Sequence, residues 1–297
     1  MRLLSQELST LYDAFRRGEP SPLAEPPVQY ADHARWEQRV LRGERLAGRL
    51  AYWRAKLSGL PTPLVLPSAA ARSDAPGAGD PGDVSAFSLS LELSTKLRRL
   101  SREQAVTPFM FMLGAWKSVL ARITGRADLV VELPVANRAR PEVESLIGMF
   151  ANAVALRTDL AGDPHFTDVL GRVRETCLEA FEHQDAPYPM VAEFAGLGAG
   201  EPATSLGITY FDAGLTEQTR APGAMQLWRL GTRTAPSHDL RLHVHDGPGP
   251  ITVELEYRLS RYGAEAMAEL VARYRAFLEA AVEDPGRPLS KLLPERA

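Results

Sequence analysis

Residues 128–159 read DLVVELPVANRARPEVESLIGMFANAVALRTD, and this stretch decides the fold. Val130, Val131, Leu133 and Val135 form a short apolar run rich in β-branched residues, the pattern of a strand covered on both faces. Asn137 to Arg140 interrupts it. Further on, Phe150, Asn152, Val154 and Leu156 alternate with Ala151, Ala153, Ala155 and Arg157, so the two sets lie on opposite faces of a second strand. Asn152 is a polar side chain among apolar neighbours and needs a hydrogen-bond partner there.

Working outward, Thr107-Pro108 predicts a helix start, with Thr at the cap and Pro in the first helical position. Phe109, Met112, Leu113, Trp116, Leu120 and Ile123 give that helix a buried stripe, and Gly125 ends it. Before it, residues 85–93 alternate Phe87, Leu89, Leu91 and Leu93 with polar residues, which predicts a half-buried strand, and Ser94 is placed to cap the next helix. After the central pair, a helix is expected from about Phe166 to Glu182, a short one after Pro187 and a strand over 205–212. A polar loop over 213–223 and a weak strand over 225–230 follow. Segments 239–245 and 251–259, joined by Asp246-Gly247-Pro248-Gly249-Pro250, predict an antiparallel hairpin with one wet face carrying His243, His245, Thr252, Glu254, Glu256 and Arg258. The last helix spans about 264–283 and Asp284-Pro285 stops it. At the N-terminal end, residues 3–17 form an amphipathic helix ended at Gly18, and a helical block runs over 30–58 with Gly43 as an interruption. Strands mixed with helices argue an α/β fold, a mixed sheet packed with helices.

The 297-residue chain has ample hydrophobic content for a packed core, and its net charge of -3 gives no electrostatic reason to expect nucleic-acid binding. Cys177, the single cysteine, allows no internal disulfide and no thiolate metal site, and its helical-spaced neighbours Leu170, Val173 and Phe181 predict a buried, inert thiol. No apolar run approaches the roughly 18 residues that span a bilayer. A soluble, reducing, cytoplasmic setting is expected, without a membrane partner.

Pro134-Val135-Ala136-Asn137-Arg138 and Ile147-Gly148-Met149-Phe150-Ala151-Asn152 resemble the loop and strand of the condensation domains of nonribosomal peptide synthetases. His183-Gln184-Asp185-Ala186-Pro187-Tyr188 is similar to that family's HQDxPF-type motif, and Tyr30-Ala31-Asp32-His33-Ala34-Arg35-Trp36 to its YxDxAxW-type motif. The family's HHxxxDG signature has no counterpart, since no two histidines are adjacent. The resemblance therefore implies the C-terminal lobe of a chloramphenicol acetyltransferase-like fold, with the N-terminal lobe and its catalytic histidine missing. It divides the chain into a helical lead-in over 1–60 that would pack partly on the missing lobe, a Pro/Gly-rich surface linker over 61–83, and the lobe itself over 84–297. The lobe would include a latch-like segment near 205–234.

No catalytic residue is assigned within the chain. The resemblance makes Asn152, beside Phe150 and Gly148, a candidate for the substrate tunnel, and the alternative is a structural bond to a neighbouring backbone. Arg138 and Asn137 either line the tunnel floor or hold their loop. His183, Gln184 and Asp185 look like a catalytic trio but have no nucleophile at fixed spacing, so they are read first as capping the helix and fixing the Pro187 turn. His238, Asp239, His243, His245 and Asp246 invite a metal reading, yet no motif shows tetrahedral convergence, and a solvated strand face is expected instead. Against the family pattern, Glu132 stands where Gly is usual and His238 where an apolar or aromatic residue is usual. A carboxylate at 132 must find a partner or reach solvent.

The resemblance implies a contribution to amide formation between carrier-bound thioesters, with no bound cofactor, substrates on the phosphopantetheine of carrier proteins, and carrier proteins, the missing lobe or neighbouring synthetase domains as partners. The alternatives are a non-catalytic docking module for a carrier protein or synthetase partner, and an acyltransferase of the same fold using a free acceptor. Without a partner lobe, the first helix and the latch should present apolar surface. Sedimentation velocity of the 297-residue chain should therefore show self-association that grows with concentration, and a sharp monomer at high concentration would contradict this.

Overall fold

The structure, a computed structural model, describes residues 2–60, 64–68, 81–138, 140–194, 204–212 and 236–293. In chain order the elements are α1 (Arg2–Arg16), α2 (Tyr30–Val40), α3 (Gly43–Leu57), β1 (Gly82–Ser88), α4 (Leu91–Glu103), α5 (Pro108–Thr124), β2 (Asp128–Val135), α6 (Pro141–Glu144), β3 (Asn152–Asp159), α7 (Phe166–Glu182), α8 (Tyr188–Phe194), β4 (Leu206–Asp212), β5 (Leu240–Asp246), β6 (Thr252–Arg258), α9 (Ala264–Glu283) and α10 (Leu289–Leu292). The strands form one six-stranded mixed sheet in the order β1-β6-β5-β4-β2-β3. The β5–β6 and β2–β3 pairs are antiparallel, whereas β4 runs parallel to both β2 and β5.

Helix α5 forms the centre of the core. The Thr107 hydroxyl accepts from the Met110 N–H at 3.2 Å, and Gly125 closes the helix with a left-handed φ of 69°. Every residue from Phe109 to Leu120 is buried, so the helix is covered all round by α7, α9, α4 and the sheet. Tyr274 of α9 donates its hydroxyl to the Met112 carbonyl at 2.9 Å and meets Trp116 and Phe87 edge to face. This helix layer covers the sheet face that carries Leu240, Leu242, Val244, Val253 and Leu255, all buried. The opposite face is polar over β4, β5 and β6, and α8 covers it near β3, with α3 packed on α8.

Several expectations need correction. The alternation over residues 85–93 does not continue as strand: Ser90 accepts from the Leu93 N–H at 3.1 Å and starts α4. Ser94 is not the cap but a buried bridge, donating to the Ser90 carbonyl and accepting from the Ile251 N–H, both at 2.9 Å. Phe150 does not share the face of β3, because the strand begins at Asn152 and Phe150 turns away to pack with Val143 and Leu146. The expected surface linker is not all surface, since Leu64 and Leu66 are buried in the core. The helical block over 30–58 is interrupted as expected, α2 ending at Val40 and α3 starting at Gly43, whose φ is 56°. The loop over 213–223, the weak strand over 225–230 and so most of the latch lie outside the described residues. On α1, Leu4, Leu8, Tyr12 and Phe15 are exposed.

Among the described residues, Lys117 of α5 is the charged group most deeply placed in the core. It is fully buried, with Nζ 2.7 Å from the Leu156 carbonyl, 2.7 Å from Thr158 Oγ1 and 3.4 Å from the Leu129 carbonyl. Thr158 passes the bond on to Thr176, which donates to the Arg157 carbonyl. Burial pulls the ammonium down to about 7, while burial pushes the nearby Cys177 thiol up to about 12. Above pH 7 the unfolded chain holds a proton on this lysine that the folded chain has lost. The penalty is therefore full below pH 7 and fades as pH rises. Denaturant titrations should show stability rising from pH 7 to 9, below the range where Cys177 opposes it, by on the order of 1 kcal/mol per pH unit. Lys117→Met should flatten that slope, and an unchanged slope in the variant would remove Lys117 as its source.

Candidate functional site

The four recognised motif segments meet in pairs. In the first pair, α2 docks on the loop before β3. The Tyr30 hydroxyl donates to the Met149 carbonyl at 2.8 Å, and Tyr30 and His33 both meet the Phe150 ring edge-on. A Cβ on Gly148 would lie 2.4 Å from the Tyr30 ring, so only glycine permits this approach. Arg138 stacks over Phe150 at 4.2 Å and donates to the carbonyls of Val143 and, at 2.9 Å, Leu146. Asn137, at a φ of 51°, makes the turn that brings Arg138 there. Arg140 covers the Trp36 ring at 3.9 Å.

In the second pair, Asn152 holds the segment from His183 to Tyr188. Its Nδ2 donates to the carbonyls of Gln184 at 2.8 Å and Ala186 at 2.7 Å, and its Oδ1 accepts from the Tyr188 N–H at 3.1 Å. The helix end after α7 and the start of α8 are thus satisfied by one side chain. Gln184 donates to the Phe181 carbonyl at 3.0 Å. His183 stacks on Tyr52 with ring centroids 3.8 Å apart, its Nδ1 lies 2.9 Å from the Glu179 carbonyl, and its own carbonyl accepts from Trp53 at 3.1 Å. Asp185 pairs with Arg49 at 2.9 Å and Arg45 at 3.7 Å. His183 and Asp185 therefore both contact α3 and form no joint acid/base pair.

The polar sheet face is ordered in rows. Glu132, Gly207, Arg241, Glu256 and Val84 are lateral neighbours across β2, β4, β5, β6 and β1, and Thr209, His243, Glu254 and Ala86 form the next row. The face is half-exposed, and its side chains are paired across the strands. His243 Nε2 lies 3.4 Å from Glu256, His245 Nε2 lies 3.6 Å from Glu254, and the Phe211 ring stacks on His245 at 4.8 Å. Asp239 holds Arg258 and Arg261, whereas Asp246, on the helix-layer side of β5 with Leu240, Leu242 and Val244, holds Arg98 and the Tyr210 hydroxyl. His238 departs furthest from the expected wet face: it is 2% exposed, with Nε2 3.2 Å from Glu132 Oε1. The second oxygen of Glu132 accepts from the Tyr188 hydroxyl. Burial pushes the Glu132 carboxyl up, but His238, Tyr188 and Arg241 outweigh it and hold the carboxyl below its usual range.

Arg241 and Gly207 were not singled out by sequence, and Tyr188 was named only as the last residue of its motif. The usable signal for the network was Glu132, a carboxylate inside an apolar strand that had to have partners. Among the described residues, no three His, Cys, Asp or Glu side chains are grouped to hold a metal ion, and no helix is long and apolar enough to cross a membrane.

Comparison with known proteins follows the same lines. The family model described as Condensation domain matches residues 1–296. One of the linear gramicidin synthase proteins of Brevibacillus parabrevis is 36% identical over 297 residues, covering 98% of this chain and 6% of that protein. This chain thus spans a small part of the length of such relatives. The X-domain from teicoplanin biosynthesis is 27% identical with a TM-score of 0.84, covering 98% of this chain and 67% of that one, and an X-domain from the same biosynthesis is also solved in complex with OxyB. The first condensation domain of the calcium-dependent antibiotic synthetase, 21% identical with a TM-score of 0.74 over 98% of this chain and 63% of that one, shares the fold.

Asn152→Ala would leave two carbonyls and an N–H without partners, each worth about 1–3 kcal/mol when buried, so a loss of roughly 2–4 kcal/mol is expected. Asn152→Asp, which keeps the acceptor but not the donors, should be no better. Urea denaturation checks both, and a loss below about 1 kcal/mol for either would show that the motif is held by other means.

Proposed function

We propose, from the premise that this chain belongs to the condensation-domain family of nonribosomal peptide synthetases, that it contributes one wall of the space in which an amide bond is formed. The observation that carries this reading is the family match over residues 1–296, with the four motif segments meeting in two packed contacts. In the reaction, the amine of one carrier-bound aminoacyl group attacks the thioester carbonyl of another. A C–N bond forms, the C–S bond breaks, and the amine proton is passed on to the departing thiolate. Both substrates would arrive on phosphopantetheine arms, so carrier proteins are the partners and no cofactor need be resident.

The thioester is already activated, so holding the two groups together and excluding water can supply most of the acceleration. This chain would supply the positioning. Asn152 fixes the His183–Tyr188 segment to β3, and Arg138 with Gly148 fixes the loop that ends in Phe150. The acid/base histidine would come from a lobe bearing two adjacent histidines, which the sequence of this chain does not contain. A second reading, a docking module that makes no bond, is favoured by the likeness to an X-domain, a kind of domain solved in complex with another protein.

Complementation separates the readings. The chain is combined with an N-terminal lobe bearing adjacent histidines, together with donor and acceptor carrier proteins, and products are read by mass spectrometry. Amide product that is lost when the second of those histidines is replaced is the expected result. Carrier binding without product, under any pairing, would favour docking. Product from a free amine, but none from a carrier-bound one, would favour an acyltransferase with a free acceptor.

A further inference from the structure

We propose that Glu132 is a positioning residue of this wall, and that with His238 as a neutral imidazole protonated on Nε2 it fixes the ring of Tyr188 against the sheet. The network itself stands on its geometry; only its effect on turnover rests on the condensation reading.

The direction of each bond follows from what each group can donate. Arg241 Nη2 lies 2.7 Å from His238 Nδ1, and a guanidinium has donors only, so Nδ1 must be the acceptor. The ring proton is then on Nε2, the nitrogen that faces Glu132 Oε1 at 3.2 Å in an electrostatic contact whose angle falls outside hydrogen-bond geometry. A second proton on Nδ1 would set it against the Arg241 N–H at that 2.7 Å separation. Arg241 also donates to Ser237 Oγ at 2.9 Å, which lies 3.0 Å from the same Nδ1. The other nearby carboxylate, Asp239, is engaged by Arg258 and Arg261.

Glu132 therefore divides its oxygens, Oε1 toward His238 and Oε2 to the Tyr188 hydroxyl. Tyr188 is held at both ends, its N–H by Asn152 on β3 and its hydroxyl by Glu132 on β2. The backbone is fitted to the same network: a Cβ on Gly207, the row neighbour of Glu132, would lie 3.0 Å from Arg241 Nε and 3.2 Å from the His238 ring.

Two measurements test this. In the isotopically labelled chain near neutral pH, long-range nitrogen–proton NMR of the His238 ring should show a bare Nδ1 and a protonated Nε2. The opposite tautomer or a doubly protonated ring overturns the proposal. In the complementation assay, His238→Met, which cannot donate and accepts only weakly through sulfur, and Glu132→Gln should each lower kcat about tenfold with KM for the carriers unchanged, whereas His238→Gln, able to donate and accept, should restore the rate to within about threefold. Tyr188→Phe should match the loss of Glu132→Gln, and the double variant should lose no more, which keeps the test open should His238→Met not fold. Equal rates for the Gln and Met variants, differing only in melting temperature, would reduce the network to a structural role and overturn positioning. If the unsubstituted chain yields no amide, the condensation reading fails, and the ring spectra still decide the network.

Discussion

The polar side of this molecule depends on one side-chain amide. A helix that ends under cover leaves carbonyls without partners, and one that starts there leaves N–H groups in the same state. α7 ends and α8 begins within the segment that packs on β3, so both problems fall in one place. Asn152 answers them together because an amide carries donors and an acceptor on one planar group. Its donors take the carbonyls of Gln184 and Ala186, and its acceptor takes the N–H of Tyr188. A leucine there would fill the space and satisfy none of these groups. An aspartate would accept and could not donate.

From that fixed point the geometry extends across the sheet. Tyr188 begins α8 at the place Asn152 sets, and its phenol spans to Glu132 on the neighbouring strand. Burying a carboxylate costs several kcal/mol, and pairing it returns the cost only when its lone pairs are used well. Glu132, at 8% exposure, meets that condition in part, with a hydroxyl bonded to one oxygen and an imidazole in electrostatic contact with the other. Such a group adds little net stability over an apolar replacement, but it tolerates few other arrangements of its partners. The polar network therefore fixes position, while the helix layer around α5 supplies the stability.

What the sequence reveals of this arrangement depends on the range of each interaction. α5 is legible to the residue because Thr107, Pro108 and Gly125 act on their own turn. The β5–β6 hairpin is legible because period-two alternation and a Gly/Pro turn are both local. Residues 85–93 mislead for the same reason: alternation continued by chance through Leu91 and Leu93, and the deciding feature was the hydroxyl of Ser90 turning back on its own chain. Phe150 misleads because β3 begins two residues later, at Asn152, which leaves its ring out of the sheet's face and in the loop's own small core. The candidate site divides similarly. Asn152 stands out as a polar residue in an apolar strand, and Glu132 does too. Their partners, 36 and 56 positions away at Tyr188, come together only through the topology that brings α8 over the sheet. His238, read as one of a wet row, is buried because β4 runs parallel beside β5 and offers a glycine at the point where the imidazole must fit.

If the chain acts as a wall for amide formation, its hydrogen-bonding inventory constrains how it discriminates between substrates. Arg138 is committed to loop carbonyls, Asp185 to two arginines, and Asn152 to three backbone groups. What the rigid loop before β3 turns outward is apolar, with Met149 76% and Ile147 48% exposed. Polar groups occupied within the wall are poorly placed to read the polar groups of a substrate, because that would mean breaking a buried bond to make a new one. An apolar surface held in a fixed outline distinguishes ligands by shape, and gains only about 1–3 kcal/mol for each methylene that fits or fails to fit. Discrimination by this lobe would thus be graded rather than absolute, and sharp selection of a substrate would have to come from contacts made elsewhere.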